Sequence, residues 1–203
     1  MALAHGWSLV PPGAYEPLAR EWLEPAAAAI PEAIAARFGA CRVALAENLG
    51  SPAAVSRWTR TAEGVTIELA TGGVEPHDLG MELLLCAGQI LWELARPGER
   101  EGYLKLLAAE TQAGVEGEVD EEPLRQKRRL MLSAGTARNI HRVKRYARVS
   151  FAYTVAEYIH CLWHDVTVRG GPEHLPSHWL RRRLTAMERW YPPNPGYSLY
   201  PGR

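Results

Sequence analysis

The chain has 203 residues, 47% hydrophobic and 23% charged, a balance that excludes a disordered or fibrous polypeptide and suits a single domain over residues 1–203 with one sizeable core. Its 23 Lys and Arg offset 23 Asp and Glu, so no global field draws it to nucleic acid or an anionic membrane, and any such contact must be local. Cys41, Cys86 and Cys161 are far apart and outside any CxxC, which suggests neither a disulfide framework nor a thiolate metal cluster and fits a reducing cytoplasm.

The start, MALAHGWSLVPPG, lacks the basic and apolar regions of a signal peptide. The longest apolar run, Leu83 to Leu94, is interrupted by Gln89 and Glu93 and is too short to span a bilayer, so no membrane partner is expected. After a Pro-rich lead, Tyr15 to Leu23 and Ala26 to Phe38 have helical patterns, and Gly39 ends the second. Cys41 to Ala46, Ala54 to Arg60 and Val65 to Leu69 alternate as strands, with a turn at Glu63-Gly64. A small antiparallel sheet near residues 41–69 is the expectation.

From His77 the periodicity becomes helical, with Asp78 as a cap and a stop at Pro97-Gly98. A second helix runs from Glu99 to Ala113, an acidic loop from Gly114 to Glu122, and a basic helix from Pro123 to Ser133. Thr136 to Val168 is one long helical pattern without proline or glycine, basic at first and apolar later. Gly170-Gly171-Pro172 breaks it, Ser177 caps a last helix through Trp190, and residues 191–203 form a Pro/Tyr-rich strap. The fold class is therefore α+β and helix-dominated, a small sheet packed on a bundle of helices.

The sharpest chemical constellation is on the long helix. Spacings of three and four put Glu157, His160 and His164 on one face, extended backwards by Tyr153 and Ser150, inside an otherwise apolar surround. Glu-x-x-His and His-x-x-x-His both direct ligands to one point, so zinc or another divalent metal is one way to satisfy them. A hydrogen-bond network with neighbouring helices is the other. His77 would complete a metal site or sit in a loop, while His174 and His178 fall in a proline-rich stretch. The helix from Met81 carries a second polar seam, Glu82, Cys86, Gln89 and Glu93, and Gly88 would let another backbone approach closely. The two seams are expected to face each other. Cys86 beside His160 or His164 would also give a thiol and a base, although a buried cysteine more often acts as a small hydrophobe.

This order of parts, a small sheet, a helix, intervening helices and a glutamate-bearing helix, resembles the gluzincin-type zincin metallopeptidase domain. Leu85-Cys86-Ala87-Gly88-Gln89 falls where that family has HExGH, Gly88 matches its glycine, and Ala156-Glu157 resembles its third-ligand segment. The resemblance implies a zincin-like domain that has lost peptidase chemistry, because Leu85 cannot ligate zinc and Cys86 and Gln89 replace the general base and second histidine. Candidate catalytic positions are then Cys86, Gln89 and Glu157, around a polar centre kept for structure or binding.

Two alternatives remain: a metal-binding enzyme built on Glu157, His160 and His164, and a non-enzymatic interaction protein. The latter would use the basic face at 125–148, where Arg128, Arg129, Arg142 and Arg145, with Arg125, Lys127, Arg138, Lys144 and Arg148, could meet phosphates or a protein partner. An acidic loop precedes that face, so surface ion pairing is the simpler expectation and argues against nucleic acid. Arg181, Arg182 and Arg183 cannot all point one way on a helix.

Overall fold

The computed structural model describes residues 1–10, 15–51, 54–132, 139–164 and 171–199. Ser133, Thr136, Arg138, Val168, Gly170 and the strap from residue 200 onward, invoked above, lie outside them.

Four strands form one sheet: β1 (Ser8–Val10), β2 (Cys41–Ala46), β3 (Ser56–Thr61) and β4 (Gly64–Ala70), in the order β1-β2-β4-β3. The sheet is mixed rather than antiparallel. β1 and β2 run parallel, as do β2 and β4, and the β3–β4 hairpin alone is antiparallel. The connection after β2 carries the chain to the far edge, so β4 returns between β2 and β3, and burial explains the placement. Val65, Ile67 and Leu69 of β4 are all buried, whereas β3 exposes Arg57, Thr59, Arg60 and Thr61 and suits an edge. β1 lies within the Pro-rich lead, where three residues are too few to show a period. Its Leu9 is buried in the core.

The first helical stretch is continuous but irregular: α1 (Glu16–Leu18), a π turn (Ala19–Leu23) and α2 (Glu24–Ala29) follow one another, and α3 (Glu32–Phe38) starts after a break at Ile30-Pro31. The C-terminal strap closes that break. Asn194 Nδ2 donates to Ala28 O and Ile30 O at 3.0 and 2.8 Å, and its Oδ1 accepts from Glu32 N at 2.8 Å. Tyr191 is buried beneath, and Tyr158 Oη donates to its carbonyl at 2.7 Å. The strap through Leu199 is thus part of the core rather than a loose end.

Then come α4 (Pro76–Leu94), α5 (Pro97–Gln112), α6 (Glu121–Met131), α7 (Asn139–Trp163) and α8 (Ser177–Trp190). α4 starts two residues before Asp78, because Glu75 is extended and Pro76 takes the first helical position, where a missing N–H costs nothing. α4 and α7 form the antiparallel central pair, burying Leu83, Leu84, Ile90 and Leu91 against Phe151, Val155 and Ile159. A Cβ at Gly88 would lie 2.4 Å from Ala152 O, and one at Gly80 would lie 2.6 Å from the Trp163 ring. The two helices therefore touch backbone to backbone.

Replacing Gly88 with alanine should destabilise the fold by about 1–3 kcal/mol through overpacking, despite alanine's better helix propensity. Gly98, on the first turn of α5 with open space around its Cβ position, is the control, and its alanine variant should be neutral or slightly stabilised. Urea midpoints of the two variants make the comparison.

Candidate metal centre

The antiparallel pairing of α4 and α7 brings the start of one helix to the end of the other. Pro76 fixes His77 in the first turn of α4, not in a loop, while His160 and His164 occupy the last turn of α7, continued by the His164 N–H bond to His160 O at 2.8 Å. The three imidazoles form a near-equilateral triangle, with ring centroids 5.6, 5.6 and 5.5 Å apart. One nitrogen from each lies within 4.8 Å of the other two. An ion with tetrahedral bonds of about 2.0–2.1 Å to imidazole nitrogen would set such centroids roughly 5.2 Å apart, so small side-chain rotations close the triangle on a zinc-sized ion.

The surroundings hold the rings in place. Trp163 stacks on His77 at an interplanar angle of 11°, and Trp22 meets the same ring edge-on. Two rings also have a neighbouring carboxylate, Asp78 Oδ1 at 3.5 Å from His77 Nδ1 and Glu157 Oε2 at 4.0 Å from His160 Nδ1. Carboxylates beside ligating histidines orient the ring and raise its basicity. Partial burial, then the nearby His77, lowers the pKa of His164, which favours the neutral form a metal needs. Glu157 thus stands beside His160, and the third imidazole comes from His77.

Next to the triangle, α4 and α7 wall a cleft of about 460 Å³. Glu75, Asp78, Glu82, Asp120 and Glu157 line it with Tyr153, and among the described residues no Lys or Arg does. Burial raises the Glu82 carboxyl, Asp78 and Asp120 add to the rise, and a 2.6 Å bond donated by Ser56 Oγ opposes it.

The two polar seams meet only in part. Glu82 shares the cleft with Tyr153 and Glu157, but Gln89 turns to the sheet and accepts from Trp58 Nε1 at 2.9 Å, and Glu93 reaches Arg148 at 3.7 Å. Cys86 is fully buried, and burial pushes its thiol up to about 12, so it is protonated at neutral pH and packs as a small apolar group. Leu85, Cys86 and Gln89, where the zincin motif would lie, supply none of the triangle's nitrogens.

Ser150 belongs to a different polar centre. Arg183 is completely buried and donates to both oxygens of Glu110 at 2.7 and 2.5 Å, to both oxygens of Glu118 at 2.9 Å, and to Ser150 Oγ at 2.9 Å. Tyr146 Oη donates to Glu118, Tyr103 Oη bonds Ser150 and Thr154 at 2.9 and 2.8 Å, and Lys127 Nζ donates to Gly117 O at 2.9 Å. Several expected surface charges are therefore core charges. Arg183 does not extend a basic face, Lys127 does not belong to the solvated face at 125–148, and Glu118 is not part of an exposed acidic loop. Glu110, on the buried face of α5 with Tyr103 and Leu107, has a helical spacing that could have flagged it. On the remaining basic face, Arg125 pairs with Glu122 at 2.9 Å and Arg142 donates to Arg129 O at 3.0 Å, while Arg128 and Arg145 are exposed.

No protein-family model matches the chain, and neither does any curated protein or solved structure. No helix among the described residues is long and apolar enough to cross a membrane.

Arg183→Met would strand two buried carboxylates and should cost about 3–5 kcal/mol in a denaturation experiment. Burial alone would raise the Glu118 carboxyl, but the charge and hydrogen bonds of Arg183 hold it below the ordinary carboxylate value. In acid the unfolded chain binds the proton first, so this stabilisation is complete above about pH 4.3 and is lost as pH falls through the folded-state value. The urea midpoint of the wild-type protein should accordingly drop below about pH 4.3, and the drop should be smaller in an Arg183→Met/Glu118→Gln variant.

Proposed function

We propose that this protein is a metalloprotein, most suited to zinc, whose ion is held by His77, His160 and His164, with one coordination position left for water or substrate. The triangle of three imidazoles, contributed by two helices locked at a glycine contact, carries the reading. Three imidazole nitrogens at a partly exposed site are the donor set of a zinc centre that keeps an open position, and a closed structural site would need a fourth protein ligand. Such a centre acts by polarising a bound oxygen and lowering the pKa of a bound water, the chemistry of metal-assisted hydrolysis. Glu157 stands within 4.0 Å of His160 and lines the adjoining cleft, which suits it to accept a proton there. The cleft is the approach for a substrate, and its carboxylates favour a cationic or polar one.

This reading does not rest on zincin ancestry. A zincin-like origin would account for hydrolytic use of the centre, but the motif positions Leu85, Cys86 and Gln89 are not among the ligands. Nor does it need the basic face at 125–148.

Cobalt(II) titration followed by its visible absorption, with zinc displacement and elemental analysis, tests the proposal. One equivalent should bind, and His77→Ala and His160→Ala should each weaken binding at least about tenfold, the scale at which even orienting partners of metal ligands act. Affinity should fall in acid, where protons compete with the metal for the imidazoles. Failure to bind cobalt or zinc, or binding unchanged in both variants, would leave the triangle as an aromatic packing cluster and end the metalloprotein reading.

A further inference from the structure

On another surface, α8 turns outward a face of different character. Its exposed positions are Ser177, His178, Arg181, Arg182, Thr185 and Arg189, at spacings of three and four, while Trp179, Arg183, Leu184, Ala186 and Met187 point inward. With Leu106 of α5 they line a groove of about 640 Å³, within the range of small-ligand sites, and no carboxylate lines it among the described residues. Packing fixes the groove's walls: Gly102 of α5 leaves room for the Trp190 ring, to which an added Cβ would approach within 2.7 Å.

Several exposed cations on other helices are paired locally. Arg20 pairs with Glu16, Lys105 with Glu101 and Arg125 with Glu122, one turn away in each case. Arg182 and Arg189 of α8 do not repeat that arrangement. Arg182 lies over the Trp179 ring at 4.4 Å, a contact that orders the guanidinium without neutralising it, and Arg189 has no ion pair among the described residues. His178 and Arg189 are eleven positions apart, or about 16 Å of helix axis at 1.5 Å per residue, with a cation or hydroxyl at every turn. Guanidinium forks match phosphoryl oxygens two at a time, and the hydroxyls of Ser177 and Thr185 add neutral donors. A row of this length suits two or three linked phosphoryl groups better than one isolated anion.

We infer that the groove between α5 and α8 binds a small polyphosphate-bearing ligand, free or esterified, through Arg181, Arg182 and Arg189. It is separate from the histidine triangle and does not depend on the metal reading. Its size and the absence of net charge on the protein favour a small ligand over a nucleic-acid strand, which would need a more extended positive surface.

Isothermal titration with sodium pyrophosphate, in EDTA to remove metal effects, tests the assignment on the whole protein. Sub-millimolar, salt-sensitive binding should appear at low ionic strength and weaken at least about tenfold in Arg182→Gln/Arg189→Gln, because two charge-assisted forks are lost. Arg189→Gln alone, at an exposed position, should show part of that loss with an unchanged melting temperature, and His77→Ala should bind as the wild type does. ATP tested in parallel separates an esterified from a free polyphosphate. Absence of saturable pyrophosphate binding, or binding indifferent to both arginine variants, would overturn the assignment. So would tenfold tighter binding of a single-stranded oligonucleotide through the same arginines, which would make the groove a nucleic-acid surface.

Discussion

The completely buried guanidinium of Arg183 constrains the whole helical half of the molecule. A charge of that kind is tolerated only when every donor has an acceptor and the counter-charges are fixed, since desolvating an ion costs several kcal/mol. Glu110 on α5 and Glu118 in the segment before α6 supply the charge, and Ser150 and Thr154 on α7 complete the shell. A third helix, α8, brings the arginine itself. The segment around Glu118 is therefore a buried strut, pinned on its other side by a bridge to His174 in which Leu175 N donates to Glu118 O at 2.8 Å. Apolar packing alone would let these elements slide, whereas a saturated ionic centre penalises any other arrangement.

The same logic separates the two polar centres of α7. Around Ser150 and Thr154 the polar groups are saturated and dry, and such a network specifies structure. On the neighbouring face of α7, Tyr153 and Glu157 line the acidic cleft, and at the helix end the partly exposed His160 and His164 converge with His77 on a single point. Imidazoles packed ring to ring gain little from one another, and His164 is driven toward its neutral form. A partly exposed, convergent set of imidazole nitrogens is what a borderline-soft cation requires and what a protein core does not.

The sequence made the helix-dominated α+β architecture legible, because Leu83 to Leu94 and the second half of α7 have long runs whose 3.6-residue period is unmistakable. It also exposed Gly88 as a contact point and placed Glu157, His160 and His164 on one face. The pairing of β2 with β4 was hidden, since alternation identifies a strand but not its neighbour, and β1 was too short to carry a period. The buried charges were hidden for a related reason. Lys127 and Glu118 sit in charge-rich stretches whose composition reads as solvated surface, and Glu118, which faces Lys127, is itself held by Arg183, more than fifty residues away. His77 was visible as a candidate, but its membership of the triangle follows from the antiparallel docking of α4 on α7, a tertiary fact with no local signature.

Net charge, finally, is a poor guide to this surface. The balance of 23 cations against 23 anions conceals an acid-lined cleft beside the histidines and an arginine-lined groove on α8. Charges separated by more than the roughly 8–10 Å screening length of physiological salt do not cancel for a small ligand, which experiences the local field. The two surfaces would therefore select ligands of opposite sign. A protein with no overall field gains selectivity this way without the non-specific attraction to nucleic acid or membranes that a large net charge brings.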